Sequence, residues 1–318
     1  MTKIVFLDRG TFAPEIELVR PNIDHDWVEY AATSPDQIVE RLQGAAVAIT
    51  NKVPIRAETL AQLPDLKMVS VAATGFDVID VPACRDHGVA VSNVRGYAVN
   101  TVPEHTFALI FALRRAIAAY ARDVVDGKWQ EAGQFCFHTH PIKDLRGSTL
   151  GIFGEGNLGQ SVADIARALG MTVLFAAHKG VDGLGPLYTP FDEVLERSDV
   201  ITLHCPLMPG TRNMLASAEF RKMKRQPLII NTARGGLVDE SDLVAALDEG
   251  VIGGIGFDVL TTEPPALDHP LMKVADRANV IITPHVAWAS FEAQTECWRQ
   301  TVDHVNAFFG GQAKNLVT

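Results

Sequence analysis

The sequence predicts an α/β protein with two doubly wound parallel sheets. Short apolar runs alternate with amphipathic stretches along nearly the whole chain, a pattern typical of strands and helices that follow one another in parallel sheets. A glycine-rich turn at residues 154–159 joins one such run to an amphipathic stretch. The length of 318 residues is sufficient for two domains.

In the first 98 residues, apolar runs predict strands at residues 3–7, 46–50, 67–72 and 89–92. The stretches between them predict helices at residues 35–42, 56–62 and 81–87. This order indicates a small open sheet of the flavodoxin type. Ala73, Thr74 and Gly75 follow the third strand, where their free backbone N–H groups would suit a carboxylate ligand. An ordinary turn is the alternative.

A long helix is predicted over residues 101–122, with Pro103 in its first turn, where the missing N–H costs nothing. Residues 129–146 are less regular. Their aromatic side chains, Trp129, Phe135 and Phe137, lead us to expect that this segment packs against something outside the domain. His138 and His140 have no third ligand at a suitable spacing, so no metal site is expected.

Residues 149–180 contain the most informative pattern in the chain. Two apolar runs, at residues 149–153 and 171–176, enclose an amphipathic stretch and predict a β-α-β unit. Gly154, Gly156 and Gly159 form G-x-G-x-x-G at its first turn. One glycine makes the turn, one admits a pyrophosphate, and one lets the helix pack on the sheet. The pattern predicts dinucleotide binding at a helix N-terminus, with a plain flavodoxin-like turn as the alternative.

The second strand of this unit ends without the acidic residue that binds the ribose 2′-hydroxyl in proteins that prefer NAD. Ala177 takes that place, and His178 and Lys179 follow as two potential cations. We therefore expect NADP(H) to be preferred, or shared with NAD(H). The alternative is that His178 and Lys179 are solvated loop residues, and Glu155 in the glycine loop also argues against NADP.

The rest of the chain continues the alternation. Helices are predicted at residues 191–197, within 211–220, and at 241–248 and 291–309, and strands at 200–204, 227–231, 254–259 and 280–283. This pattern predicts a Rossmann sheet over residues 99–287.

Composition disfavours several classes of function. The net charge of −10 argues against nucleic acid or an anionic membrane as a partner. No apolar run approaches the roughly 20 residues that a membrane-spanning helix needs, and the first residues do not resemble a signal peptide. The four cysteines are scattered without zinc spacing, which favours reduced thiols in a cytoplasmic protein.

Three titratable or charged side chains follow three predicted strands. Arg234 follows residues 227–231, Glu263 follows residues 254–259, and His285 follows residues 280–283. Carboxyl ends of parallel strands meet at one edge of a sheet, where ligands bind. Reduction of a 2-keto acid needs a cation for the carboxylate, a proton donor for the carbonyl oxygen, and a carboxylate to stabilise that donor. Arg234, His285 and Glu263 suit these three roles.

Five motifs extend this interpretation to a family resemblance over nearly the whole chain. GIFGEGNLGQS, DVITLHCPLMPGTRNML, LIINTARGGLVDE, GFDVLTTEPP and ITPHVAWAS together resemble the D-isomer-specific 2-hydroxyacid dehydrogenases. The resemblance implies that Arg234 binds substrate, that His285 is the acid/base and that Glu263 supports it. It also implies a discontinuous substrate-binding domain of residues 1–98 and 288–318, a dinucleotide-binding domain of residues 99–287, and a homodimer formed through the latter.

The glycine pattern and the resemblance together give the expected contacts. Cofactor-binding residues would be Gly154, Gly156, Asn157, Leu158, Gly159, Ala177, His178, Lys179, Cys205, Pro206, Thr211, Thr232, Ala233, Asp258 and Thr101. Among these, the resemblance places Asp258 at the nicotinamide carboxamide. Substrate-binding residues would be Lys52, Ala73, Thr74, Gly75 and Trp288, together with Arg234 and His285.

Within the family, the runs NKVPI, PDLKMVSVAATGFDVID, QFC and TPHVAWAS most resemble bacterial glycerate dehydrogenases, also called hydroxypyruvate reductases. This similarity implies hydride transfer between NAD(P)H and hydroxypyruvate or glyoxylate, with D-glycerate or glycolate as product. One alternative is a 3-phosphoglycerate dehydrogenase, for which Lys52 and Arg95 are the available cations. The other is a nucleotide-sensing regulator that binds a protein through the same fold.

Overall fold

Two parallel sheets organise the protein, in a computed structural model that describes residues 1–181 and 183–318. The chain divides into unit 1, Met1–Ala98 with Ala289–Thr318, and unit 2, Val99–Trp288. The sheets confirm the predicted α/β class. No helix within the described residues is long and apolar enough to cross a membrane.

Unit 1 contains a five-stranded sheet. Its strands are β1 (Thr2–Phe6), β2 (His25–Glu29), β3 (Val47–Thr50), β4 (Met68–Val71) and β5 (Ala90–Asn93), and its first helices are α1 (Ile38–Leu42), α2 (Ala57–Leu60) and α3 (Val81–Asp86). The strands are parallel in the order β2-β1-β3-β4-β5. The central strands are buried along their full length, as expected for a sheet with covered faces.

The edge strand β2 was not predicted. In its sequence, HDWVE, three polar residues flank Trp27 and Val28 and none is fully buried, so it lacks the longer apolar run that marks the inner strands. The predicted helix at residues 35–42 divides into a 3-10 turn, Pro35–Gln37, and α1. Ser34 and Gln37 form a capping box around the turn.

Unit 2 contains a seven-stranded parallel sheet within its described residues, in the order β12-β11-β10-β9-β6-β7-β8. Its strands are β6 (Thr149–Phe153), β7 (Thr172–Ala176), β8 (Tyr188–Thr189), β9 (Val200–Leu203), β10 (Leu228–Asn231), β11 (Gly254–Phe257) and β12 (Val280–Ile282). Its helices are α4 (Thr101–Arg114), α5 (Ile117–Val125), α6 (Lys128–Ala132), α7 (Asn157–Ala168), α8 (Phe191–Arg197), α9 (Ser217–Phe220) and α10 (Glu240–Asp248).

The strand order reverses between β6 and β9. From β6 the chain proceeds outward through β7 to β8, and from β9 it proceeds the other way to β12. Ligands of doubly wound sheets bind beyond the carboxyl ends of the strands at such a reversal. The turns after β6 and β9 therefore lie where a ligand of unit 2 is expected.

The prediction of one helix over residues 101–122 is wrong. Helix α4 ends at Arg114, and Ala116 adopts a left-handed conformation with φ of +51° before α5 begins. The local sequence contains no glycine or proline at this break. Helix α4 packs on β10 and β11, whereas α5 buries little beyond Ala119 and Asp123, so packing determines where the helix breaks.

The predicted helix within residues 211–220 is also shorter than expected. Only α9 is helical, because Leu215 forms a parallel bridge with Val238 and requires an extended backbone before it.

The chain returns to unit 1 through helix α11 (Phe291–Phe309). Ser290 caps this helix by accepting a hydrogen bond from the backbone N–H of Ala293, at 3.1 Å. Trp298 is fully buried, stacks on Phe6 with ring centroids 5.0 Å apart, and donates from Nε1 to the carbonyl of Val19. These contacts make α11 part of the core of unit 1.

Candidate active site

Close packing dictates glycine at the two ends of the turn between β6 and α7. Gly154 has φ of +113°, and a Cβ there would lie 2.6 Å from the carbonyl carbon of His204. At Gly159 a Cβ would lie 2.0 Å from the carbonyl oxygen of Gly154. The first glycine therefore lets the turn approach β9, and the third lets α7 approach the turn.

Gly156 differs from both, because no protein atom lies within 4 Å of the position that its Cβ would take. It is exposed and precedes Asn157 and Leu158, which open α7. Glycine is thus not required there by the protein's own packing. The open space above the first N–H groups of α7 fits a pyrophosphate.

The end of β7 combines a small residue with an ion pair. Ala177 is buried, and His178 is exposed. The ammonium of Lys179 lies 2.9 Å from Oε1 of Glu219, whose side chain is only 4% exposed. Lys179 is therefore held by a buried carboxylate, a contact that sequence reasoning did not anticipate.

The glycine-loop carboxylate of Glu155 also has a partner. The hydroxyl of Tyr188 on β8 donates a hydrogen bond to it, and burial together with this bond raises the pKa of Tyr188. The Glu155 side chain is thus directed towards the β8 edge of the sheet.

The loop after β9 contains Cys205, Pro206 and Thr211. The Thr211 hydroxyl donates to the carbonyl of Pro206 at 2.7 Å and accepts the N–H of Met208, which closes the loop on itself. Burial raises the pKa of the Cys205 thiol to about 11. This thiol is therefore neutral at physiological pH and suits an apolar wall rather than a nucleophile.

His204 was missed by the sequence analysis. Its Nε2 lies 2.9 Å from the Thr202 hydroxyl, while its buried Nδ1 has no hydrogen-bond partner among the described residues. Burial lowers its pKa to about 4, so the ring is neutral at physiological pH. Its position directly before Cys205 in the HCP sequence is the signal that could have found it.

The turn after β10 presents Arg234. The amide of Asn231 donates to the carbonyl of Arg234 at 2.8 Å, and its oxygen accepts the N–H of Ala233 at 3.0 Å. A Cβ on Gly235 would lie 2.0 Å from the carbonyl carbon of Leu260, so glycine lets this turn press on the segment that leads to Glu263. The turns that carry Arg234 and Glu263 are therefore packed together.

His285 and Glu263 form the central pair. Nδ1 of His285 lies 2.6 Å from Oε2 of Glu263, and Oε1 of Glu263 accepts the N–H of Leu260 at 2.8 Å. Both side chains are partly exposed, at 24% for His285 and 34% for Glu263. The carboxylate holds one ring nitrogen, which leaves Nε2 to face a ligand.

Asp258 fixes the loop that carries this histidine. Its buried carboxylate accepts the Thr283 hydroxyl at 2.6 Å and the backbone N–H groups of Val286 and Ala287, each at 2.9 Å. His285 itself adopts φ of +56°, a conformation that costs a non-glycine residue about 1 kcal/mol or more. The hydrogen bonds to Asp258 are what hold the loop in this shape.

The remaining candidates of unit 2 surround that loop. The Thr101 hydroxyl donates to the carbonyl of Ala287 at 3.0 Å, and the indole of Trp288 donates to the carbonyl of His285 at 3.1 Å. The Thr232 hydroxyl lies 3.1 Å from that of Thr106. Thr101 and Trp288 thus both contact the backbone of the histidine loop.

In unit 1, the candidates lie in two turns at the carboxyl ends of strands. Lys52 follows β3, and the buried carboxylate of Asp8 holds its turn by accepting the N–H groups of Asn51 at 2.9 Å and Lys52 at 2.6 Å. Burial raises the pKa of Asp8.

The second turn, Ala73, Thr74 and Gly75, follows β4. Asn93 Nδ2 donates to the carbonyl of Thr74 at 2.7 Å.

The histidines at residues 138 and 140 lie in the segment that follows α6. Nε2 of His140 lies 2.9 Å from Asp123, and no group of three potential metal ligands occurs among the described residues.

Two glycine substitutions separate ligand binding from folding. We expect Gly156→Ala to preserve the melting temperature but to weaken dinucleotide binding, because its Cβ would enter only the space assigned to the pyrophosphate. Gly159→Ala should lose stability, by about 1–3 kcal/mol, because its Cβ overlaps the Gly154 carbonyl oxygen. Thermal unfolding and NADH titration measure the two effects. Unchanged dinucleotide affinity in Gly156→Ala would contradict the placement.

Comparisons with known proteins identify the family of the chain. The family model for the NAD binding domain of D-isomer specific 2-hydroxyacid dehydrogenases matches residues 107–287. A glycerate dehydrogenase of Methylorubrum extorquens is 52% identical over 99% of this chain and 98% of its own length. A hydroxypyruvate reductase of Blautia hydrogenotrophica is 35% identical over 90% of this chain and 88% of its own.

Solved structures show the same architecture. An acyclic imino acid reductase in complex with NADPH and D-Arg superposes with a TM-score of 0.82 at 27% identity, over 100% of both chains. The identity to the glycerate dehydrogenase, the family model and the shared fold confirm the resemblance inferred from the five motifs. The chain belongs to the D-isomer specific 2-hydroxyacid dehydrogenase family.

Proposed function

We propose that the protein transfers hydride between NAD(P)H and a small 2-keto acid, reducing hydroxypyruvate to D-glycerate or glyoxylate to glycolate. The observation that carries this proposal is the 2.6 Å pair of His285 and Glu263 in a sheet whose glycine turn fits a dinucleotide. The names of the relatives, glycerate dehydrogenase and hydroxypyruvate reductase, support the choice of substrate.

The proton donor in this scheme is His285. When bound, NAD(P)H supplies the hydride that the keto carbon accepts. As the carbonyl oxygen gains negative charge, Nε2 of His285 gives it a proton, and the alcohol forms. Glu263 at Nδ1 stabilises the protonated ring and fixes its orientation. Arg234 binds the substrate carboxylate through its planar guanidinium, which fits two oxygens at once.

For the other site residues we propose the roles that the family resemblance implies. Lys52 and the turn of Ala73, Thr74 and Gly75 are proposed to bind the substrate tail and carboxylate, with Trp288 at the histidine loop. Asp258 is proposed to meet the nicotinamide carboxamide while it holds that loop. Cys205 and Pro206 are proposed to line the adenosine pocket.

For the cofactor we propose use of NADP(H), preferred or shared with NAD(H). Support comes from Ala177, which presents no carboxylate to a 2′-phosphate, and from exposed His178 beside it. A relative of the same fold is solved with NADPH. Lys179 retains 44% of its side-chain exposure while paired with Glu219, so it contributes a partly neutralised cation.

Two alternatives remain testable. A 3-phosphoglycerate dehydrogenase would need further cations at the substrate tail, and D-3-phosphoglycerate dehydrogenases are among the relatives, at 35% identity or less. A regulator that senses nucleotide would not require the His285–Glu263 pair.

We further propose a homodimer formed through unit 2, in the cytoplasm. Val125 and Phe135 expose 85% and 90% of their surfaces, an arrangement that favours cover by a second chain. Internal hydrogen bonds hold the segment of residues 123–140, because Asp123 binds Lys128, Thr139 and His140. Chiefly through the hydrogen bond from Lys128, the pKa of Asp123 falls to about 2.

Initial rates with two cofactors and three acids test the substrate and cofactor together. We expect hydroxypyruvate to be reduced faster than glyoxylate or 3-phosphohydroxypyruvate, with kcat/KM for NADPH at least equal to that for NADH, because position 177 offers no repulsion. Turnover of the phosphorylated acid alone, with NADH, would leave the family intact and refute both proposals.

Replacement of His285 by alanine tests the mechanism. Loss of the proton donor should lower kcat by about 10²–10⁴-fold while NADH affinity stays unchanged. The control is His87→Ala, an exposed histidine of unit 1. A wild-type protein without turnover, in which His285→Ala leaves partner affinity unaltered, would favour the regulator.

Light scattering tests the assembly. The protein should have twice the chain mass of 34.5 kDa, and the pair Val125→Ser and Phe135→Ser should shift it towards monomer. Phe291→Ser, at an exposed position of unit 1, is the control. A monomeric wild-type protein would refute the dimer.

A further inference from the structure

Another carboxylate–imidazole pair contacts the segment that leads to Glu263. Nε2 of His269 lies 3.0 Å from Oε2 of Glu240, and the two side chains are only 10% and 9% exposed. Glu240 is the last residue of the LIINTARGGLVDE motif, and no role for it follows from the proposed reaction. A buried charge of this kind is costly unless it is hydrogen-bonded.

The other oxygen of Glu240 holds the backbone next to Glu263. Its Oε1 accepts the N–H of Thr261 at 2.7 Å, while the neighbouring N–H of Leu260 donates to Oε1 of Glu263 at 2.8 Å. Two consecutive N–H groups are thus bound by two carboxylates. Gly235 packs against the same peptide unit. The segment of residues 260–263 is therefore fixed by contacts that Glu240 completes.

The tautomer of His269 follows from its second contact. The N–H of Leu271 donates to Nδ1 at 3.3 Å, so Nδ1 is an acceptor and the ring hydrogen lies on Nε2. In this arrangement Nε2 of His269 donates to Oε2 of Glu240. Glutamine at position 240 could still accept from Thr261, but its amide N–H would face the ring N–H of His269. The other tautomer of His269 would relieve this clash, but it would place a hydrogen on Nδ1, facing the backbone N–H of Leu271.

We propose that Glu240, oriented by His269, is a positioning residue for catalysis: it holds residues 260–263 so that Glu263 stays bound to His285. The proposal rests on the proposed function. Loss of Glu240 would affect His285, the proton donor, by displacing the Glu263 carboxylate. The protonated His285 ring would then be less stabilised. Other charged or titratable groups near that loop are Arg234, whose turn packs on the same segment, and Asp258, which binds the flanking backbone and lies 3.7 Å from Nε2 of His105.

Glu240→Gln tests this proposal in the full-length protein. We expect kcat for hydroxypyruvate reduction to fall by about 10–100-fold. Because the protonated His285 ring would be less stabilised, the pH at which the reduction rate begins to decline should fall by about half a pH unit or more. NADH affinity by fluorescence titration should be unchanged. The matched control is Asp248→Asn. Asp248 lies on the same helix as Glu240, α10, and the substitution breaks its exposed ion pair with Arg277. This control should retain the wild-type kcat and pH profile.

A second variant keeps the test valid if Glu240→Gln does not fold. His269→Gln retains a donor for Glu240 but loses the rigid ring, and it should shift the pH profile in the same direction by a smaller amount. The proposal is overturned if whichever variant folds has an unaltered pH profile, or loses kcat and NADH affinity in parallel. Failure of the proposed function is distinct: the wild type would be inactive, or His285→Ala would retain turnover.

Discussion

The buried carboxylate of Asp258 is the interaction on which the reactive edge of unit 2 depends. It collects one hydroxyl and two backbone N–H groups from the five residues that follow β12, and its own backbone carbonyl accepts the N–H of His285. These bonds compensate for the burial of the carboxylate. They also hold His285 in a left-handed conformation that an unsupported loop would abandon.

At the same edge, a glycine permits close backbone contact and two carboxylates bind backbone N–H groups. Gly235 lets the Arg234 turn contact the peptide after Leu260, and Glu263 and Glu240 bind the two N–H groups of that peptide segment. The result is that an arginine, a glutamate and a histidine from three different strand ends belong to one connected set of backbone contacts. Precise placement of this kind is what hydride and proton transfer require.

In the glycine-rich turn between β6 and α7, close packing requires two of the three glycines but not the third. Gly154 and Gly159 are required by the protein's own packing, whereas Gly156 borders open space. In the G-x-G-x-x-G turn, this open space fits the pyrophosphate that the motif predicts. At the neighbouring strand end, Lys179 forms an ion pair with Glu219, whereas Glu155 accepts a hydrogen bond from the Tyr188 hydroxyl.

The sequence by itself determined the α/β class, the glycine turn, the strands that precede Arg234, Glu263 and His285, and the family. Apolar periodicity and fixed motif spacing encode these features locally. Only the tertiary structure decided that α4 and α5 separate at Ala116, that β2 completes an edge, and that Glu240 binds His269 and the backbone N–H of Thr261. The physical reason is that each of these depends on partners distant in the chain: a packed sheet, a neighbouring strand, or a backbone N–H 21 residues away.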